Sequence, residues 1–130
     1  QLLIYPATDA FNHYPSATTY ADAPILTKKD MDWFTNHYIK TEQDRQDVRF
    51  SPLLGNLKNL PPALILAAEY DPLVDQGKAY ADALKAHNNH VTYKLYPRQV
   101  HGFMNLGPNF GRSNTLFQDI AHFLANGTKN

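Results

Sequence analysis

The chain has 130 residues, within the usual span of one domain, and its 12 basic and 12 acidic side chains cancel. Hydrophobic residues make up 43% and charged residues 18%, which excludes an intrinsically disordered chain. The even charge offers no basic stripe for nucleic acid, and the absence of cysteine excludes both a disulfide framework and a thiolate metal site.

Gln1-Leu2-Leu3-Ile4-Tyr5-Pro6 has no positive region and no long apolar core, so it is not a signal peptide. The chain opens, without a methionine, in the apolar run Leu2–Tyr5, a first sign of a fragment or processed piece. Such a run suits a strand buried on both faces of a parallel sheet. The stretch from Ala7 to Ser51 is polar, with one helical island. There Thr27 can cap a helix with Asp30, and Met31, Phe34 and Tyr38 recur at i, i+3 and i+7 beside Trp33 and His37. Two readings stand: a surface helix packing its aromatic face on the body, or a lid helix whose aromatics line a pocket. Ser51–Gly55 and Leu60-Pro61-Pro62 read as loop.

Ala63–Ala68 is the clearest buried strand and the longest apolar run, far short of the roughly 20 residues of a bilayer-spanning helix. A turn at Asp71-Pro72 leads to a helix from Asp75 to about Asn88, with Ala79, Tyr80, Ala83 and Leu84 on one face and Asn88-Asn89 as its stop. Val91, Tyr93 and Leu95 alternate with Thr92, Lys94 and Tyr96, the period of a strand near a sheet edge. Pro97 to Arg112 reads as loop. Ser113 then caps a helix with a stripe of Phe117, Ile120, Ala121 and Leu124, ended by Asn126-Gly127. Strands alternating with helices define an α/β fold of parallel strands joined by right-handed crossovers.

In such sheets ligands bind beyond the carboxyl ends of the strands. Asp71 follows the Ala63–Ala68 strand and His101 follows the Val91–Tyr96 strand. Neighbouring strands lie about 5 Å apart, so their exits can bring a carboxylate to an imidazole. The carboxylate would fix the ring tautomer, leaving the other nitrogen to accept a proton. Each motif alone is ordinary; acid then base beyond consecutive strands is not.

Tyr70-Asp71-Pro72-Leu73-Val74-Asp75-Gln76-Gly77 followed by His101-Gly102-Phe103 resembles the acid and histidine motifs of the hormone-sensitive-lipase-like branch of the α/β-hydrolases. Leu3-Ile4-Tyr5-Pro6 and Leu60-Pro61-Pro62 agree with it. The resemblance implies the carboxyl-terminal half of an α/β-hydrolase domain, with residues 9–50 a lid-like insertion. It implies Asp71 as the orienting acid, His101 as the base, and carboxylic esters of short or medium acyl chain as substrates. Asp75 would be a helix cap or a structural residue, and Gly77 would allow helix and sheet to approach closely. Phe103, Met104, Leu73 and Val74 are the substrate-binding candidates, with ordinary core the equal alternative for Phe103 and Met104.

The family's Gly-x-Ser-x-Gly elbow and His-Gly-Gly oxyanion loop do not occur. Ser16, Ser51 and Ser113 lack the flanking glycines. In the family's order the serine precedes the acid and base, which places it outside this chain and makes the chain alone inactive. The Leu2-Leu3-Ile4 edge would then pair with the missing amino-terminal half or with another copy. No cofactor and no metal are expected: His87 and His90 have no third ligand in view, and no phosphate loop appears. His13, His37 and His122 read as surface or partly buried residues. The resemblance suggests a cytoplasmic bacterial enzyme. The competing class is a non-catalytic α/β module, with Asp71 capping a helix and His101 held in a loop.

Overall fold

A computed structural model describes residues 1–107 and 113–127. Three parallel strands, β1 (Leu2–Ile4), β2 (Ala63–Tyr70) and β3 (Val91–Val100), form a sheet in the order β1-β2-β3. The register sets Leu2 opposite Leu64 and Ala63 opposite Val91. The continuous apolar run of β2 has its reason in two cores. On one face Leu64, Leu66 and Ala68 pack with Tyr96, Phe103, Leu116 and Phe123. On the other, Ala63 and Ile65 pack with Leu57, Tyr80, Ala81 and Leu84. This is the α/β layering expected from the sequence, with helices on both faces of parallel strands.

Several expectations need correction. β1 is half-buried rather than buried on both faces, because among the described residues it pairs only with β2. β3 does not stop at Pro97. The pairs Ala68–Tyr96 and Tyr70–Val100 show that β3 carries two extra residues there, a bulge that absorbs the proline's missing N–H. The expected alternation holds from Val91 to Lys94 and reverses at its end, where Tyr96 is buried and Leu95 is exposed. Tyr96 packs on Phe103, and its hydroxyl donates to Asp119 at 2.5 Å.

Helix α3 in chain order, Val74–Ala86, follows α1 (Pro15–Thr19) and α2 (Lys28–Tyr38). Its buried face is Gln76, Gly77, Tyr80, Ala81 and Leu84, with Ala79 and Ala83 flanking it. The helix ends where expected: Asn88 takes a left-handed φ of 62°, and the Asn89 amide donates to the carbonyls of Leu57 and Leu84. Leu73 is the N-cap, so of the two roles open to Asp75, cap or structural residue, the structural one fits. Asp75 instead accepts from the Ser16 backbone N–H at 2.8 Å, tying α1 to α3. Gly77 is not a point of forced close approach, since a Cβ there would sit 3.7 Å from Pro6 in ordinary contact.

α4 (Ser113–His122) buries Leu116, continues into a π-helical turn at Phe123–Gly127, and presents Leu116, Ile120 and Phe123 to the core. The expected stripe is therefore wrong at Phe117, Ala121 and Leu124, which are exposed. Both stripes have helical spacing, and the sheet selects the one that meets Tyr96 and Phe103. Ser113 is the first helical residue, and its hydroxyl donates to the Gly107 carbonyl. The part of the expected loop from Pro108 to Arg112 lies outside the described residues.

The β1–β2 connection holds α1, α2 and single 3-10 turns at Glu42–Gln46 and Pro52–Leu54, the last in a stretch expected to be loop. Polar side chains fasten this connection to α3. Gln76 Oε1 accepts from the N–H groups of Thr8 and Asp9, and the Thr8 hydroxyl donates to the Gln76 carbonyl. No helix among the described residues is long and apolar enough to cross a membrane.

Candidate active site

The exits of β2 and β3 set the site. After Tyr70, the Asp71 side chain folds back on its own turn: Oδ1 accepts from the Leu73 N–H at 2.8 Å, and the Asp71 carbonyl accepts from the Val74 N–H. This Asx turn holds the carboxylate through Oδ1 and leaves Oδ2 for another donor. After Val100, a left-handed Gly102 (φ 74°) turns the chain into the 3-10 turn Phe103–Leu106. Within the bulge Arg98 has φ 60° and its N–H donates to Glu69.

His101 Nδ1 then lies 2.8 Å from Asp71 Oδ2. With a carboxylate as acceptor, Nδ1–H donates this bond, which leaves Nε2 as the ring nitrogen available to a further group. The Asp71 side chain is 1% exposed and that of His101 is 23% exposed. The acid is shut away from water while the imidazole reaches open space. Such a pair can take a proton at Nε2 and stabilise the imidazolium.

Tyr5, at the end of β1, completes the group. Its ring lies 4.8 Å from the imidazole, centroid to centroid, and its hydroxyl accepts from the Met104 N–H at 3.1 Å. Burial pushes the Tyr5 phenol up, and the nearby Asp71 charge pushes it the same way, against the Met104 hydrogen bond.

His101, Tyr5, Leu73 and Gln76 line a cavity of about 580 Å³, within the size range of small-ligand sites. Met31, Phe34, Thr35 and Tyr38 of α2, with Phe50, Leu26 and Tyr14, form apolar and aromatic walls, and Lys28, Asp32 and Arg45 also line it. α2 is capped as expected: Thr27 Oγ1 accepts from the Asp30 N–H, and the Asp30 carboxylate accepts from the Thr27 N–H. Its aromatic face is largely exposed, with Tyr38 stacked on Phe50. Phe34 is 59% and Tyr38 66% exposed, and no α2 residue is buried.

Of the anticipated substrate-binding residues, Leu73 borders this cavity and Phe103, Met104 and Val74 do not. Phe103 is core, in ring contact with Tyr5 and Tyr96, and Met104 packs on that core. Sequence reasoning missed Tyr5 and the polar knot at Asp9. Asp9 is buried; its carboxylate accepts from the Phe11 and Asn12 N–H groups, the Asn12 amide and the Tyr14 hydroxyl. Burial alone would push this carboxyl up, but those donors outweigh it and hold it below the usual carboxylate range. The spacing Asp9-x-x-Asn12-x-Tyr14 is the available signal, that of an Asx turn.

The three serine hydroxyls donate to backbone carbonyls: Ser16 to Pro72, Ser51 to Arg45 and Ser113 to Gly107. None is bonded to His101. The described residues contain no metal-competent cluster of histidine and carboxylate side chains, and His87 Nδ1 bonds the Ala83 carbonyl.

Residues 1–105 match the family described as having the alpha/beta hydrolase fold. The chain is similar to an ethyl acetate hydrolase of Pseudomonas putida, 44% identical over 108 residues that cover 82% of this chain and 34% of that protein. It is also 42% identical over 108 residues to the carboxylic ester hydrolase LipN of Mycobacterium tuberculosis, covering 82% of this chain and 29% of that one. Among solved structures, the esterase of Pyrobaculum calidifontis superposes with a TM-score of 0.94 at 34% identity, covering 99% of this chain and 44% of that one. The metagenomic carboxylesterase EstE1 gives 0.93 at 32%, covering 100% and 45%. The chain thus spans about a third of the length of the curated relatives it matches.

Proposed function

From the premise that this chain belongs to the hormone-sensitive-lipase-like esterase family of α/β-hydrolases, we propose that Asp71 and His101 are the acid and base of a Ser-His-Asp triad that hydrolyses carboxylic esters. The serine and the oxyanion donors come from residues outside these 130. The observation that carries the reading is the 2.8 Å bond between Asp71 Oδ2 and the Nδ1 of His101, a residue that lines the cavity.

In this reading His101 Nε2 removes the serine proton as the oxygen attacks the ester carbonyl, and Asp71 stabilises the imidazolium that forms. The same nitrogen returns the proton to the leaving alcohol. It then activates the water that releases the acid. The relatives named as ester hydrolases support the ester substrate. The aromatic walls supplied by α2 and Phe50 support an apolar acyl group of short or medium length, and residues 9–50 act as the lid that carries those walls. The edge of β1, unpaired among the described residues, supports pairing with the polypeptide that brings the serine. This chain and that polypeptide together are called the assembled enzyme below.

Loss of the serine alone costs on the order of 10⁶ in rate, and loss of oxyanion donors a further 10² or more. The isolated chain is therefore expected to give no turnover of p-nitrophenyl butyrate above the buffer rate. The assembled enzyme is expected to turn over and to be labelled on serine by a fluorophosphonate. Turnover by the pure chain, or an assembled enzyme that ignores the probe, would overturn the reading.

A further inference from the structure

We propose that Tyr5 is a positioning residue for His101, a clamp that fixes the plane of the imidazole while Asp71 fixes its edge. The inference rests on the reading of His101 as the base. A single hydrogen bond at Nδ1 leaves the ring free to rock about the line joining it to Asp71 Oδ2. A second contact is needed to hold Nε2 in one direction. Tyr5 supplies it twice over: its ring packs on the imidazole at 4.8 Å and a 55° tilt, and its hydroxyl takes the N–H of Met104, three residues past His101. One side chain thus bridges the ring and the turn that carries it.

The backbone carries the second observation. Tyr5 still pairs with β2, its N–H donating to the Leu66 carbonyl at 2.7 Å, yet its φ is 38°. A bulky residue in the left-handed region is uncommon and persists only where its surroundings over-determine it. Among the described residues, three that are neither glycine nor asparagine have such a φ: Tyr5, Ile25 and Arg98. All three gather at the His101 turn. Arg98 lies in the bulge that leads into it. The Ile25 methyl stands 3.4 Å from where a Cβ on Gly102 would be. The left-handed asparagines, Asn59 and Asn88, sit away from it in turns that asparagine tolerates. Strain gathered around one imidazole is what a preorganised group requires.

The test compares Tyr5→Phe and Tyr5→Leu in the assembled enzyme, with kcat, KM and ¹⁵N spectra of the histidines. Removing the ring in Y5L is expected to lower kcat by about tenfold to a hundredfold, with KM changed less than about twofold. The His101 Nδ1–H resonance should broaden. Y5F keeps the ring and loses the hydroxyl anchor, so it should recover most of kcat while its Nδ1–H exchanges faster than in the wild type. A natively folded Y5L with wild-type kcat, or one whose whole defect lies in KM, would overturn the proposal; the latter would make Tyr5 a pocket wall. If Y5L does not fold, Y5F decides: kcat and an Nδ1–H signal both identical to wild type would overturn it. If the wild-type assembly hydrolyses no ester, the activity reading fails. The ¹⁵N comparison still shows whether Tyr5 orders the ring.

Discussion

Replacing Asp71 by asparagine keeps the shape of the side chain and changes what it can ask of His101. The amide oxygen can still accept from the Leu73 N–H, so the turn into α3 survives. The amide nitrogen then takes the place of Oδ2, 2.8 Å from His101 Nδ1. A nitrogen that donates forces Nδ1 to accept, and the ring proton moves to Nε2. That nitrogen can then no longer remove a proton. The site offers no substitute: Asp71 is fully buried, so water cannot stand in for the carboxylate. For a wrong-tautomer triad the loss is ~10⁴ in kcat, about 5 kcal/mol of transition-state stabilisation. KM should change by less than about threefold, because binding of the ester does not pass through the tautomer. The assay is steady-state hydrolysis of p-nitrophenyl butyrate by the assembled enzyme, with ¹⁵N spectra to read the tautomer. An Asp71→Asn variant within about tenfold of the wild-type kcat would refute the reasoning, whatever its spectrum.

Three other outcomes follow from the same structure. Leu66→Ala empties the centre of a core whose walls are Tyr96, Phe103 and Leu116, and should cost about 2–5 kcal/mol in urea unfolding. Phe34→Ala removes an exposed side chain that borders the cavity. It should leave stability within about 0.5 kcal/mol while raising KM for an octanoate ester more than for an acetate ester. Asp9 has its carboxyl held below the unfolded value, so its stabilisation is present above that unfolded value and lost as pH falls through the folded one. Urea midpoints taken from pH 7 down to pH 3 should fall more steeply for the wild type than for Asp9→Asn; parallel curves would deny the carboxylate that role.

What the sequence disclosed was what depends on local pattern. Ala63–Ala68 reads as a central parallel strand because an apolar run of that length suits burial on both faces. Asp71 and His101 could be paired because strand exits in a parallel sheet share one end. What it hid depends on tertiary direction. Phe103 follows His101 closely, yet a left-handed Gly102 turns it into the core instead of the cavity. α4 offers two stripes of equal helical spacing, and only the packing on Tyr96 and Phe103 chooses Leu116, Ile120 and Phe123. Pro97 marks the end of a strand by local rules, and the bulge that carries β3 past it arises from pairing with β2. Tyr5 was legible as the end of a strand but not as a neighbour of His101, a contact that spans most of the chain.

The central claim is that His101, held by Asp71, serves a hydroxyl supplied from beyond these residues. A crystal structure of the assembled enzyme after reaction with diethyl p-nitrophenyl phosphate tests it most directly. The account predicts a phosphorylated serine with His101 Nε2 within about 3.2 Å of an ester oxygen and Nδ1 still bonded to Asp71. A modified serine served by another histidine, with the His101 imidazole out of reach, would contradict it.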